Sequence, residues 1–270
     1  MQRYVRVQTP EGMVYYGSLQ VNREVEVWDA APWLQGQPTG TVLGTDAYQL
    51  LAPCLPSKIV AVGRNYPKHA AEMGSAVPDH PLIFLKPPTT IQAPERPIWY
   101  PSQTQQVDYE GELALIIGDR CRECSETEAI EKIWGYTIAN DVTARDLQKS
   151  EQQWTRSKGF DTFCPLGPWV VRNVDAAARL QTFVNDDPQP RQAATLDQMV
   201  FKPAVLVSFI SQVMTLFPGD VILTGTPDGI GPLHPGDLVR VEIEGIGSLI
   251  SIMGHPDQDQ NASFSSVENP

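Results

Sequence analysis

With 270 residues the chain has room for one large domain or for a main domain and a small companion, and at 41% hydrophobic and 19% charged it can bury a sizeable core. No apolar run reaches the roughly 18 residues that a membrane helix requires. Against 32 acidic residues stand 20 basic ones, a net charge of −12 that argues against a nucleic-acid partner and demands locally concentrated positive charge if the substrate is an anion.

The opening "MQRYVRVQTPEG" has no apolar h-region of a signal peptide, so a cytoplasmic protein without a membrane partner is the expectation. Residues 1–55 carry short alternating stretches, "RYVRVQT", "MVYYGSLQ" and "REVEVWD", broken by Gly and Pro, and predict a small N-terminal β unit. The Pro-punctuated connector "LLAPCLPSK" marks the boundary to a main domain over residues 56–253. There strand-like runs dominate: "KIVAVG", "LIFLK", "ELALIIG", "IWGYTIAND", "PWVV", "DVILTG" and "LVRVEIEG".

Helical pattern is sparser. "PKHAAEM" places Pro67 in a first turn, and "SETEAIEKI" pairs an N-cap Ser125 with Glu128 in a capping box. "TLDQMVFKPAVLVSFISQVMT" acquires helical spacing at Ala204, Val207, Ser208 and Ser211. Pro-Gly-Asp at 218–220 and at 235–237 predicts two type II turns. Residues 254–270 are polar and aperiodic and predict a mobile tail. The fold class is mixed and β-rich, with few helices.

The segment "QVDYEGELALIIG" (residues 106–118) takes two carboxylates, Glu110 and Glu112, into a strand bound for burial. Residues two apart on a strand share a face, so the two acids converge, and convergent buried acids need a proton or a cation between them. A hard divalent cation such as Mg²⁺, Mn²⁺ or Ca²⁺ takes oxygen ligands of this kind. By itself E-x-E is a weak motif. In "IANDVTARDLQ" Asp141 ends the next strand, where it offers a third oxygen or caps the following helical turn. Arg145 and Gln148 follow it. In "RNYPKHAAEM", His69 and Glu72 stand at i and i+3 on one helical face, as a general base with its orienting acid or as a surface pair. Lys86 and Lys158 lie beside turn residues, facing a cleft or solvent. Cys121 and Cys124 form a CxxC with no second pair or nearby His, and Cys54 and Cys164 lack a nucleophile's signature, so ordinary reduced thiols are expected.

Taken together, "GRNYPKHAAEM", "FLKPPT", "DYEGELALIIG", "ANDVTARDLQ", "KGFDTFCPLGPW", "LFPGDVILTGTPDGIG" and "GDLVRVEIEGIGSL" resemble the fumarylacetoacetate hydrolase family, in order from about Lys58 to about Leu249. The resemblance implies a rolled mixed β-sheet fold and a homodimer. It implies Glu110, Glu112 and Asp141 as ligands of Mg²⁺ or Mn²⁺, with Ca²⁺ as an occupant in crystals. It implies His69 and Glu72 as the water-activating pair of a lid helix and Lys158 as a further catalytic group. Arg64, Arg145, Gln148 and Thr226 fall on substrate-binding positions. The chain departs from the family where "ISIMG" replaces an Asn-containing close, and the CxxC is not a family motif.

The implied substrate is a small anionic 2-oxo or 1,3-dioxo acid reacting through a metal-chelated enolate. Hydrolysis of an acylpyruvate- or fumarylpyruvate-like compound comes first, because a water-activating pair is present. Oxaloacetate decarboxylation or tautomerisation and isomerisation of a 2-hydroxyhepta-2,4-diene-1,7-dioate type are alternatives. A non-catalytic binding or assembly subunit is the alternative from another class. No GxSxG elbow, P-loop or GxGxxG fingerprint supports other chemistry.

Overall fold

A strand buried on both faces belongs in the middle of a covered sheet, and the segment Gly111–Ile117 is buried along its whole length, apolar from Leu113 onward. In the computed structural model, which describes residues 1–255, it lies near the centre of the largest sheet. The strands run in the order Pro38–Leu43, Val25–Trp28, Val14–Leu19, Arg3–Gln8, Cys164–Val171, Ile133–Asn140, Gly111–Ile117, Val221–Leu223, Ile59–Gly63 and Leu82–Lys86. Val221–Leu223 pairs with Ile59–Gly63 in parallel, whereas both neighbours of Gly111–Ile117 are antiparallel to it, so the sheet is mixed. A five-stranded and a three-stranded sheet complete a β-rich fold with few helices. The predicted tail falls, apart from Gly254 and His255, outside the described residues. Among the described residues no helix is long and apolar enough to cross a membrane.

Strand alternation divides the core. Leu113, Leu115 and Ile117 join Leu206, Val207 and Ile210 of the helix Pro203–Val213 and Ala129 of the helix Glu126–Glu131. Ala114 and Ile116 face the opposite way, towards Ala61, Cys164, Leu166 and Leu223. The N-terminal strands continue the main sheet, since Tyr4 pairs with Val170. Edge-to-face aromatic contacts link Tyr4 to Trp28 and Trp134, and Trp33 to Tyr16 and Trp134, which seats residues 1–55 on the core.

Local signals act as expected at the helix ends. Ser125 and Glu128 form the reciprocal capping box, and Pro67 opens the helix Pro67–Glu72. The helix Pro203–Val213 buries Leu206, Val207, Ile210 and Ser211, a face turned from the predicted Ala204, Val207, Ser208 and Ser211, because Leu206 and Ile210 take the core. Both Pro-Gly-Asp turns carry glycine in the left-handed region, at φ 88° for Gly219 and 94° for Gly236.

The turn at 218–220 also closes the sheet. Asp220 is buried, and its Oδ1 accepts from the Ser57 and Lys58 backbone N–H groups at 3.0 and 3.2 Å, while Oδ2 accepts from Phe217 N at 2.8 Å and pairs with the Lys58 ammonium. Asp220→Ala strands these donors beside the parallel strand pair. It is expected to lower the unfolding free energy by about 3 kcal/mol, measured by denaturant titration; a loss within about 0.5 kcal/mol would show the cluster to be dispensable.

Candidate active site

Strand register assembles the acids. Gly111 pairs with Asn140, so the residues just before and just after that pair, Glu110 and Asp141, become neighbours, and Asp141 N donates to Glu110 O at 2.8 Å. The Asn140 side chain accepts from Glu110 N at 2.9 Å and fixes the entry of the chain. Gly111 is required there by close approach: a Cβ would meet Thr182 Oγ1 at 2.4 Å and Val241 Cγ1 at 2.8 Å. Glu112 follows on the strand, and carboxylate oxygens of Glu110, Glu112 and Asp141 lie within 4.8 Å of one another, all three residues buried. Asp141 caps no helix; the next helix, Arg145–Ser150, begins from Ala144.

The sequence predicts a divalent cation as the compensating charge, and the fold also supplies three buried side-chain cations. Lys158 Nζ lies 2.7 Å from Glu110 Oε2 and 2.6 Å from Asp141 Oδ2. Lys86 Nζ lies 2.6 Å from Asp141 Oδ1 and also donates to Lys158 O at 2.7 Å. Arg145 bridges Glu110 Oε1 at 2.5 Å and Asp108 Oδ2 at 2.7 Å, and donates to Gln148 Oε1. Glu112 stands apart: it accepts one hydrogen bond, from Gly225 N at 2.7 Å, and touches no side-chain cation among the described residues.

The protonation behaviour follows. Burial opposes charge on Glu110, yet Lys158 and then Arg145 hold its carboxyl far below the usual range. Burial pushes Glu112 well above that range, reinforced by repulsion from Asp141 and Glu110. Burial alone would discharge Lys158, but Asp141 and Glu110 raise its pKa above the ordinary lysine value. Three carboxylate oxygens this close, one without a cation of its own, fit a hard divalent ion.

The walls come from short helices. His69 is buried on the helix Pro67–Glu72, and its Nδ1 meets Glu72 Oε2 at 3.1 Å; the other Glu72 oxygen accepts from Gly229 N at 3.0 Å. His69, the three acids, Arg64, Arg145, Gln148, Lys158 and Thr226 line one cleft of about 180 Å³, with Glu72 beside His69. The Thr226 hydroxyl is already engaged: it donates to Gly111 O at 2.9 Å and accepts from Gln192 Nε2 at 2.7 Å. Gln192 Oε1 also accepts from Gly111 N at 3.0 Å, so Gln192 and Thr226 together hold the acid-bearing strand.

Sequence reasoning missed Gln192, Asp108 and two aromatic residues that also line the cleft, Phe84 and Trp154. The first sits in a strand with no motif, and the aromatic pair reads as ordinary core. The helix Thr155–Lys158 is equally hidden, because a short polar segment carries no apolar period. All four cysteines are free and buried; burial pushes the thiol of Cys121 up to about 11 and that of Cys164 up to about 12, which leaves neither as a thiolate nucleophile at neutral pH.

Residues 58–252 match the family model of the fumarylacetoacetate (FAA) hydrolase C-terminal domain, and residues 2–53 match that of the Rv2993c-like N-terminal domain. The structure of a 2-hydroxyhepta-2,4-diene-1,7-dioate isomerase from Mycobacterium marinum superposes with a TM-score of 0.87 at 42% identity, over 96% of this chain and 100% of that one. A mitochondrial oxaloacetate tautomerase from Xenopus laevis is 41% identical over 77% of this chain and 69% of its own length. A fumarylpyruvate hydrolase from Pseudomonas aeruginosa, solved with Mn²⁺ and pyruvate, is 32% identical with a TM-score of 0.69, over 77% of this chain and 92% of that one.

The charge arrangement predicts opposite signs for two substitutions in metal-free protein. Lys158→Gln leaves Glu110 and Asp141 short of a buried partner and is expected to cost about 3–5 kcal/mol in denaturant unfolding. Glu112→Gln keeps the acceptor for Gly225 N–H and removes a charge that burial and repulsion oppose, so stability at neutral pH is expected to hold or rise. A destabilised Glu112→Gln protein would refute this account of the triad.

Proposed function

Because this chain belongs to the fumarylacetoacetate hydrolase family and lines one cleft with a His–Glu helix and a buried acidic triad, we propose that it is a divalent-metal-dependent enzyme that hydrolyses a C–C bond in a 2-oxo or 1,3-dioxo acid, with an acylpyruvate- or fumarylpyruvate-like substrate. The observation that carries this reading is His69, a buried imidazole bonded through Nδ1 to Glu72 and facing the same cleft as Glu110, Glu112 and Asp141. A divalent cation, Mg²⁺ or Mn²⁺, held by the three carboxylates supplies Lewis-acid polarisation of the substrate's oxo oxygens when bound.

The chain's own residues do the rest. A carboxylate partner on Nδ1 makes that nitrogen the donor and leaves the Nε2 lone pair to accept a proton from water. The water oxygen bonds to the carbonyl carbon distant from the acid terminus. The C–C bond to the pyruvyl fragment breaks with its electron pair moving into that fragment, and protonation there completes pyruvate and a carboxylic acid. Lys158 and Arg145 place fixed positive charge beside the triad, where negative charge develops, without reorganisation during the step. Gln148 and Arg64 line the cleft as substrate contacts, and Thr226 holds the Gly111 backbone beneath them.

A second reading has its own support. Identity is higher to the oxaloacetate tautomerase and the diene-dioate isomerase, at 41% and 42%, than to the fumarylpyruvate hydrolase, at 32%. Tautomerisation or isomerisation would use His69 to shuttle a proton between carbon and oxygen, with no attack by water.

With Mg²⁺ or Mn²⁺, the protein is expected to consume acylpyruvates, followed as loss of their 1,3-dioxo ultraviolet absorbance. His69→Ala is expected to lower kcat by about 10²–10⁴-fold. Cleavage at the wild-type rate in that variant would remove His69 from water activation. Turnover of oxaloacetate tautomers or hydroxymuconate-type dienes, with acylpyruvates untouched, would replace the first reading by the second. Mn²⁺ is expected to raise the melting temperature of wild type, and Glu112→Gln to abolish that rise; an unchanged response takes Glu112 out of the ligand set.

A further inference from the structure

His69 acts as a base only while Glu72 stays on its Nδ1, yet the helix that carries both spans six residues and the Glu72 side chain is 33% exposed. A glutamate so placed retains several rotamers unless a group outside the helix fixes it. That group is a backbone amide. Glu72 Oε1 accepts from Gly229 N at 3.0 Å while Oε2 meets His69 Nδ1 at 3.1 Å, so both carboxylate oxygens are held.

Gly229 is in turn placed from three sides. Its backbone is left-handed, at φ 93°, and a Cβ would stand 1.9 Å from Arg191 O, so only glycine fits against that segment. Two residues upstream, Pro227 O accepts from Gln192 Nε2 at 2.8 Å. The Tyr109 hydroxyl donates to Gly229 O at 2.9 Å, which leaves the glycine bonded through both its N–H and its C=O. The Tyr109 ring is rooted in an apolar cluster with Val107, Val142, Leu147, Phe163 and Leu233 and does not itself line the cleft. Gly231, its cross-strand partner, gives the hydroxyl room: a Cβ there would stand 3.3 Å from it. The next residue, Glu110, belongs to the acidic triad, so adjacent side chains of one segment reach both halves of the site.

We propose that Tyr109 is a positioning residue for His69: its hydroxyl fixes the Gly229 backbone, the Gly229 N–H fixes Glu72, and Glu72 fixes the tautomer and direction of the imidazole. The inference rests on the reading of His69 as the proton-transfer group and names a residue outside the cleft that aims it, whether the proton comes from water or from carbon. A glycine with free torsions would let Glu72 swing off Nδ1. The imidazole then loses the acceptor that keeps its proton on Nδ1, and Nε2 no longer offers a lone pair at a fixed place.

The test is Tyr109→Phe, which keeps the ring in its cluster and removes only the hydroxyl. In Mn²⁺-loaded protein acting on acetylpyruvate, kcat is expected to fall about tenfold, with KM within about twofold of wild type. The rise in melting temperature on Mn²⁺ addition is expected to be kept, since the triad is untouched. Glu72→Ala removes the link, so adding Tyr109→Phe to it is expected to cost less than about twofold more. A second readout needs no turnover. With isotope-labelled histidine, nitrogen NMR of Mg²⁺-loaded protein at mildly alkaline pH is expected to show the Nδ1–H form of His69 in wild type, and a mixture with the Nε2–H form in Tyr109→Phe; His69→Ala assigns the signals. A merely structural role would lower kcat together with the Mn²⁺ response, or add in full to Glu72→Ala, and either result overturns the proposal. So does a Tyr109→Phe protein with wild-type kcat, with an unchanged His69 tautomer, or without a stable fold. If wild type turns over no oxo acid, the hydrolytic reading fails and the tautomer comparison alone decides this inference.

Discussion

The antiparallel pairing of Gly111 with Asn140 is the constraint on which the site depends. It forces Glu110 against Asp141 at the ends of two central strands, with Glu112 two residues further in. Three buried carboxylates are tolerable only with positive charge beside them, and Lys86, Arg145 and Lys158 are brought from three separate segments to supply it. Buried ion pairs of this kind add little net stability, because desolvation consumes most of their attraction. What the network secures is position: the four oxygens of Glu110 and Asp141 are each paired with a named cation, while Glu112 faces no side-chain cation among the described residues and burial opposes its charge.

Around this rigid floor the walls are short and local. The helix bearing His69 spans six residues and that bearing Lys158 spans four, and both are anchored by a few contacts rather than by a broad apolar face. Solved and curated relatives carry isomerase, tautomerase and hydrolase activities on a shared fold, so reaction and substrate belong to the walls and not to the sheet. In this chain the wall residues are His69 with its Glu72 partner on one side and the Phe84–Trp154 pair on the other.

Elements with a strong one-dimensional signal were legible beforehand. Alternation revealed the strands, the Ser125–Glu128 spacing revealed a capped helix, and the Pro-Gly-Asp turns announced their glycine geometry. The E-x-E pair and the acid at the next strand end pointed to convergent carboxylates, because a strand's two-residue period is a local property. Gln192 and Asp108 left no such trace: each acts through partners at least 34 residues away, Gln192 on Gly111 and Thr226 and Asp108 on Arg145.

By itself the sequence determined the β-rich class, the family resemblance and the residue types of the site, because these follow from periodicity, composition and motif spacing. Only the tertiary structure decided which cation answers which carboxylate. Lys158 serves Glu110 and Asp141, Lys86 completes Asp141, and Arg145 ties Glu110 to Asp108, all by pairings between distant segments. It also decided that Arg64 is left uncommitted over Trp154, since the reach of a charged side chain is set by register and packing, which chain order does not encode.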